Sequence, residues 1–290
     1  MLTSTDASIF EINPKEVIYP KDRNDLISVI RNILSDKKPF TMRAGGTSIG
    51  GQAIGSGVLV DISKHLNNII DFFEDKKEII VEPGVIQDDL NLFLQPYNLK
   101  FAPDTSTSNR AMIGGMIGNN SCGSYSIFYG TTRDHVKSIE VILSDGSLVE
   151  FKELTEKELD DKLSMQTLEG DIYRFVINLL NNNQQEILDA FPDESLIRRN
   201  TGYALDELIR KYKPFNKNGK RFNLASLICG SEGTLGVIVS ATLNLVNLPK
   251  HKELIVAHFS SDEQSLNLVR DLVKLNPSAV EYIDKPTLDA

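Results

Sequence analysis

The residue that carries chemistry here by its spacing is glycine. Fourteen of the nineteen glycines fall in three clusters. Gly45, Gly46, Gly50, Gly51, Gly55 and Gly57 form the first, Gly114, Gly115, Gly118, Gly123 and Gly130 the second, and Gly230, Gly233 and Gly236 the third. A residue without Cβ can take positive φ or let a ligand approach the main chain. The clusters therefore mark either one extended ligand touched three times or three unrelated tight loops. The stretch Arg43-Ala44-Gly45-Gly46-Thr47-Ser48-Ile49-Gly50-Gly51-Gln52 lacks the G-x-G-x-x-G spacing of a dinucleotide fingerprint, and no Gly-Lys-Ser/Thr triplet offers a P-loop. Its small residues at 44–48 nevertheless let successive N–H groups point one way, a nest that binds anions without side-chain charge. Thr47 and Ser48 add hydroxyl donors.

The elements around these clusters follow from periodicity. Residues 16–19 read as a strand, and Asp22 as an N-cap with Asp25 three residues on. Leu26, Ile27, Ile30, Ile33 and Leu34 follow at helical spacing, and residues 40–43 and 58–62 read as strands. The first two strands of this β-α-β unit are expected to be parallel. Residues 69–73 and 78–81 alternate as a hairpin, residues 85–94 read as a helix, and Asp145-Gly146 is a hairpin turn between strands at 138–143 and 147–151. Helices are expected near 155–163, 170–181 and 184–190, then strands at 224–229 and 235–245 around the third cluster. Beyond Pro249 the pattern is strand (253–259), helix (262–275, capped by Ser261) and strand (279–283). One β-α-β unit cannot cover both faces of its strands, so residues 249–290 read as the incomplete beginning of a second domain.

Composition narrows the function classes. The 290 residues carry a net charge of -9, without the basic footprint of a nucleic-acid binder. Any anionic ligand must be held by local groups against that field. Cys122 and Cys229 are too few for a disulfide framework or a four-thiolate zinc site, and read as small buried apolar residues. His65, His135, His251 and His258 fall at no metal-ligand spacing, so no metal residue is named. No signal peptide or membrane-length apolar run is visible, and the expected location is cytoplasmic or peripheral to a membrane.

The clusters in their setting carry a resemblance. The run from Pro39 through Ser48, with Gly51-Gln52, resembles the pyrophosphate loop of FAD-linked oxidases and dehydrogenases of the vanillyl-alcohol oxidase / p-cresol methylhydroxylase type. Pro103-Asp104, Ile113-Gly114-Gly115-Met116-Ile117-Gly118-Asn119-Asn120-Ser121-Cys122-Gly123 and Tyr129-Gly130-Thr131-Thr132-Arg133-Asp134 resemble the family's second FAD segment. Gly230-Ser231-Glu232-Gly233-Thr234-Leu235-Gly236-Val237-Ile238 resembles the third. They stand in family order over roughly residues 15–248. The wording is most similar to D-2-hydroxyacid dehydrogenases acting on D-lactate, glycolate or D-2-hydroxyglutarate, a branch that Arg199-Asn200-Thr201-Gly202-Tyr203-Ala204-Leu205 supports.

The resemblance implies an α+β fold: an FAD-binding domain over residues 1–248 made of two α/β subdomains, about 1–66 with parallel strands and 67–248 with a larger, mostly antiparallel sheet. The start of an α+β substrate (cap) domain would follow. It implies that Arg43, Ala44, Gly45, Gly46, Thr47 and Ser48 hold the pyrophosphate, with Gly51 and Gln52 beside them. Gly114, Gly115, Gly118, Asn119 and Gly123 would follow the phosphates and ribityl chain, Gln52 and Asp104 would bond polar edges of the cofactor, and Pro103 and Thr131 complete the cofactor-binding set. Glu232, Gly236, Val237 and Ile238 would line the nucleotide or flavin. Thr47 stands where some members carry a flavin-linked histidine, so FAD is expected to be non-covalent. Arg133 and Asp134 read equally as site residues or a structural ion pair, and Tyr203 as a site or core residue. Asp193-Glu194 and the basic stretch at 211–221 read as solvated loops.

The implied activity is oxidation of a small 2-hydroxycarboxylate by hydride transfer to flavin N5. The electron acceptor would be a quinone, a cytochrome, an electron-transfer flavoprotein or an Fe–S module. The catalytic base, and histidines holding a divalent metal, would come from a second domain, so no catalytic residue is named. The rival readings are a non-catalytic FAD-binding subunit of a multiprotein oxidase and an NADPH-dependent reductase of an enolpyruvyl sugar nucleotide.

Overall fold

The computed structural model describes residues 3–196, 198–199 and 202–289. It opens with β1 (Glu16–Ile18), α1 (Arg23–Ser35), β2 (Phe40–Arg43) and β3 (Val58–Asp61). β3 lies in the middle and pairs in parallel with both β1 and β2. The two leading strands are thus parallel, as expected, with the third inserted between them. The Asp22 carboxylate accepts from Asp25 N at 2.9 Å, and the Asp25 carboxylate accepts from Lys21 N at 2.9 Å, fixing the start of α1.

β4 (Ile69–Phe73) and β5 (Glu78–Val81) form the next hairpin, followed by α2 (Gln87–Leu94), β6 (Leu99–Lys100), α3 (Ile113–Gly118) and α4 (Ser126–Tyr129). Then come β7 (Val136–Ile142), β8 (Leu148–Lys152), α5 (Glu156–Ser164), α6 (Leu168–Ala190), α7 (Leu205–Lys211), α8 (Ala225–Ile228), β9 (Val237–Asn244) and β10 (Val246–Asn247). The larger sheet has the order β4-β5-β9-β7-β8, antiparallel at every joint. Gly146 turns the β7–β8 hairpin at φ +79°.

This sheet separates two cores. Ile142, Val237 and Val239 face Leu26, Ile30, Val58 and Val60 of the first unit. Ile139, Val141, Ala241 and Leu243 face the helical side with Tyr173, Leu180 and Phe222. A register shift opposite Glu140 and Val141 lets β9 present Val239 and Ala241, two residues apart, to opposite faces. The units are also pinned by polar contacts. Arg23 Nη2 lies 2.5 Å from Glu140 Oε1, and Arg31 Nε donates to Gly146 O at 2.9 Å.

Three sequence expectations change. Residues 224–229 contain the short helix α8, because the Asn223 side chain accepts from Ala225 N at 2.9 Å and turns the chain. The helices expected at 170–181 and 184–190 are one run, kinked where Asn183 takes φ -128°. Residues 253–259 and 279–283 form no strand. Leu254, Ile255 and Val256 are 87%, 82% and 67% exposed, and no described strand lies alongside to supply a ladder. Between and after these segments lie α9 (Asp262–Val273), capped by Ser261 as expected, and α10 (Lys285–Asp289).

Candidate functional site

The three glycine clusters meet. The first follows β2 and runs without helix or strand to β3. A Cβ on Gly45 would stand 2.3 Å from the main-chain oxygen of Arg110, so only glycine lets this loop touch the second segment. A Cβ on Gly115 would stand 3.4 Å from the Ala44 Cβ. The third cluster is hydrogen-bonded to the second: Gly230 N donates to Ile117 O at 2.9 Å and Glu232 N to Gly118 O at 2.8 Å. Glu232 takes φ +51° to make that contact.

α3 itself explains why glycine occupies a helix, where it is disfavoured by about 1 kcal/mol. Ile113, Met116 and Ile117 are buried on one side, while a Cβ on Gly114 would come within 2.6 Å of Pro83. On the other side the helix is bare. A Cβ on Gly118 would meet nothing within 4 Å, and the same holds at Gly233 of the third cluster. A cavity of about 300 Å³ opens between the first and second segments, lined by Ala44, Gly45, Arg110 and Met112, with Lys64 and Asp61 at its wall. Bare glycine faces, main-chain groups from three segments and an excess of cations over Asp61 fit an elongated anionic nucleotide.

The other expected site residues sort by what their groups already hold. The Arg43 guanidinium is largely buried and committed: Nη1 donates to Thr5 O at 2.9 Å and Ala53 O at 3.2 Å, and Nε lies 3.9 Å from Asp61. It folds against Gly46, which takes φ +61°. Thr47 is half-buried, and the Ser48 hydroxyl donates to Gln52 Oε1. Gly51 takes φ +82°. Pro103 is buried, its carbonyl accepting from Gln87 Nε2 at 2.5 Å. Asp104 offers its main-chain oxygen 2.3 Å from where a Gly123 Cβ would be. Asn119 accepts from the Ser121 hydroxyl at 2.5 Å. The Thr131 amide and hydroxyl both donate to Asp134 Oδ2, at 2.9 and 3.0 Å, so Thr131 shapes its segment and has no spare donor. The Val237 side chain lies in the core with α1, Ile238 packs on the opposite face, and Gly236 lies against β7.

Arg133 and Asp134 are each held by partners elsewhere in the fold. Arg133 donates to main-chain oxygens of Ser226 and Cys229, and Asp134 pairs with Lys211 at 3.5 Å. Lys211 also reaches Glu207 at 2.6 Å, so the first residue of the stretch at 211–221 is a network member and not a solvated loop residue. The Tyr203 hydroxyl lies 2.8 Å from Thr234 Oγ1 in the third cluster, with the ring 42% exposed. Its neighbours Asn200 and Thr201 lie outside the described residues. Burial pushes the Cys229 thiol up to about 12, consistent with a buried apolar role.

Sequence reading missed a charged, aromatic corner beside Gly123. Lys100 Nζ sits 4.2 Å from the Tyr129 ring centroid and 5.2 Å from that of Tyr125. Burial and the nearby Lys252 push the Lys100 ammonium below its usual value, while burial pushes the Asp104 carboxyl up. No local spacing links these residues, which β6 and α4 bring together. Among the described residues, no group of three His, Cys, Asp or Glu side chains could hold a metal, and no helix is long and apolar enough to cross a membrane.

A parallel three-stranded unit resting on an antiparallel five-stranded sheet, with glycine segments gathered at their junction, is the architecture of an FAD-binding flavoprotein domain. Residues 14–152 match the family described as FAD binding domain. Residues 14–152 thus form an FAD-binding domain, and the chain is similar to the FAD-linked oxidases and dehydrogenases that its motifs resemble. It is 35% identical to D-2-hydroxyglutarate dehydrogenase of Escherichia coli (strain K12), over 99% of this chain and 28% of that protein. It is 27% identical to glycolate oxidase subunit GlcD of Bacillus subtilis (strain 168), over 96% of this chain and 47% of that protein. The chain therefore spans about a quarter to a half of the length of these relatives. Among solved structures, alkyldihydroxyacetonephosphate synthase shares the fold with a TM-score of 0.58 at 13% identity, over 91% of this chain and 38% of that one.

Proposed function

We propose that this chain is the FAD-binding part of a dehydrogenase that oxidises a small D-2-hydroxy acid, and that it holds FAD without a covalent link. The observation that carries the reading is the meeting of the three glycine segments at Gly45, Gly118 and Glu232. The similarity to D-2-hydroxyglutarate dehydrogenases and a glycolate oxidase subunit supports the substrate class.

In this reading Ala44, Gly45, Gly46, Thr47 and Ser48 surround the pyrophosphate, and the bare face of Gly118 leaves room for the chain of the cofactor. Glu232 fixes the third segment through its main chain, and its side chain is exposed. Thr47 offers a hydroxyl and no nucleophilic nitrogen for a flavin link. FAD, when bound, supplies a hydride acceptor at N5. A base for the substrate hydroxyl and cations for its carboxylate belong, in this proposal, to the part of the relatives that this chain does not cover. Residues 249–290 then form the start of that substrate domain, and the exposed apolar residues at 254–256 are its unpaired edge.

The test is a titration of the purified chain with FAD, read by flavin absorption and fluorescence, followed by addition of D-lactate or D-2-hydroxyglutarate with an artificial electron acceptor. One equivalent of FAD bound without turnover is the expected result. Failure to bind FAD defeats the cofactor reading, and turnover defeats the assignment of the catalytic groups to a further domain.

A further inference from the structure

Residues 3–12 contribute to neither apolar core. They fold on themselves instead. Thr5 and Glu11 form an antiparallel bridge, and Ile12 N donates to Ser4 O at 2.8 Å. Ser8 N donates to the Asp6 carboxylate at 2.9 Å, and Phe10 N to the Ser8 hydroxyl at 3.1 Å.

Three groups of this segment then reach the first glycine loop. Thr5 O accepts from Arg43 Nη1 at 2.9 Å, at the start of the loop. Asp6 Oδ2 accepts from Ala53 N at 3.4 Å, at its end. The Phe10 ring lies against Gly51, 3.1 Å from where a Cβ would stand. The same Arg43 nitrogen also donates to Ala53 O at 3.2 Å, so the loop is sutured across its mouth and tied from outside at both ends. Burial works against the Asp6 charge, but hydrogen bonds from Ser8 and Ala53 and the Arg43 guanidinium hold its carboxyl below the usual value.

The loop needs such ties. Residues 44–57 have no helix or strand and contain six glycines, the residues with most backbone freedom to lose on ordering. Phe10 is 52% exposed, and Gly51 beneath it is in the left-handed region. The ring covers that glycine.

We propose that residues 3–12 are a strap that holds the loop of residues 43–53 in its anion-binding shape, with Asp6 and Phe10 as positioning residues. The identity of the anion, the FAD pyrophosphate, rests on the function proposed above. Without the strap the loop samples other shapes, and apparent affinity falls by the fraction of chains whose loop remains competent.

The experiment compares the parent chain with Asp6→Ala, Phe10→Ala and the double variant, by hydrogen exchange of the loop amides without FAD and by FAD titration. Faster exchange confined to residues 43–53, an FAD Kd raised about tenfold in the double variant, and an unchanged melting midpoint are expected. Phe10→Tyr restores both loop protection and affinity. Unchanged loop exchange overturns the strap, and so does faster exchange with unaltered FAD affinity. If the parent chain takes up no FAD, the proposed function fails, and the exchange arm still decides whether the strap orders the loop. If the double variant unfolds, Phe10→Ala alone decides, because that side chain lies outside both cores.

Discussion

Arg133 Nη2 lies 2.5 Å from the main-chain oxygen of Cys229, ninety-six residues away. Its Nε donates to Ser226 O at 3.0 Å, while its own amide donates to Asn120 Oδ1 at 2.8 Å. One planar guanidinium thus clamps the second glycine segment to the turn that carries the third. Arg133→Ala leaves two carbonyls without their charged donor. It is expected to destabilise the chain by about 2–3 kcal/mol and to weaken FAD binding. Arg133→Lys should recover less than half, since a single ammonium does not reproduce the fork. Urea midpoints and FAD titrations on both variants check this, and a lysine variant equal to the parent would contradict the clamp.

Gly45 and Gly118 separate folding from binding. An alanine at 45 would place its Cβ 2.3 Å from Arg110 O, a main-chain atom that cannot swing away. Gly45→Ala is therefore expected to cost about 2 kcal/mol or more of stability. Gly118→Ala meets nothing within 4 Å and sits in a helix, where alanine is favoured over glycine by about 1 kcal/mol. It should melt no lower than the parent, yet bind FAD at least about tenfold more weakly as its methyl enters the cofactor space. Equal FAD affinity in Gly118→Ala would remove this face of α3 from the site.

These contrasts also show what the sequence could reveal. Glycine spacing and family order were visible, because they are one-dimensional, as were the Asp22 cap and the Asp145-Gly146 turn. What glycine does at each place was not. Gly45 and Gly114 admit neighbouring backbone and Pro83, Gly51 admits a phenyl ring, and Gly118 and Gly233 face open space. Those differences depend on long-range neighbours. The same limit applies to Arg133, whose partners lie near residue 228, and to Lys100 with Tyr129. Residues 253–259 failed for another reason. Alternation reports a capacity to pair, and a strand exists only where a second one completes its hydrogen bonds.

Cys229 gives a chemical check on packing. It is fully buried, and its thiol is pushed up to about 12 by that burial, with Arg133 acting weakly in the other direction. The reactive thiolate is therefore almost absent near neutral pH. Alkylation of Cys229 in the native chain should proceed only through unfolding, and peptide mapping after a brief iodoacetamide pulse would show it unmodified. Rapid native labelling would contradict the closed core around the third segment.

The Lys211–Asp134 pair ties stability and cofactor affinity to pH. Burial raises the Asp134 carboxyl, but Lys211 and the Thr131 amide and hydroxyl outweigh it, leaving the folded value below the ordinary one. Burial lowers Lys211, but the Glu207 hydrogen bond and the Asp134 charge outweigh that, leaving it raised. A depressed carboxylate stabilises the fold above its unfolded value of about 4, and that contribution is lost as pH falls through the folded value. A raised ammonium stabilises below its unfolded value of about 10, and that contribution is lost as pH rises through the folded value. Both side chains are more than a third exposed, so each contribution is held to about 0.5–1 kcal/mol. Asp134→Asn should flatten the acid limb of a stability–pH profile, and Lys211→Met the alkaline limb. Asp134 also holds Thr131 beside the second glycine segment, so FAD affinity in the parent should fall on the same acid limb and lose that dependence in Asp134→Asn. Parallel pH profiles for parent and variants would show that the pair has no such role.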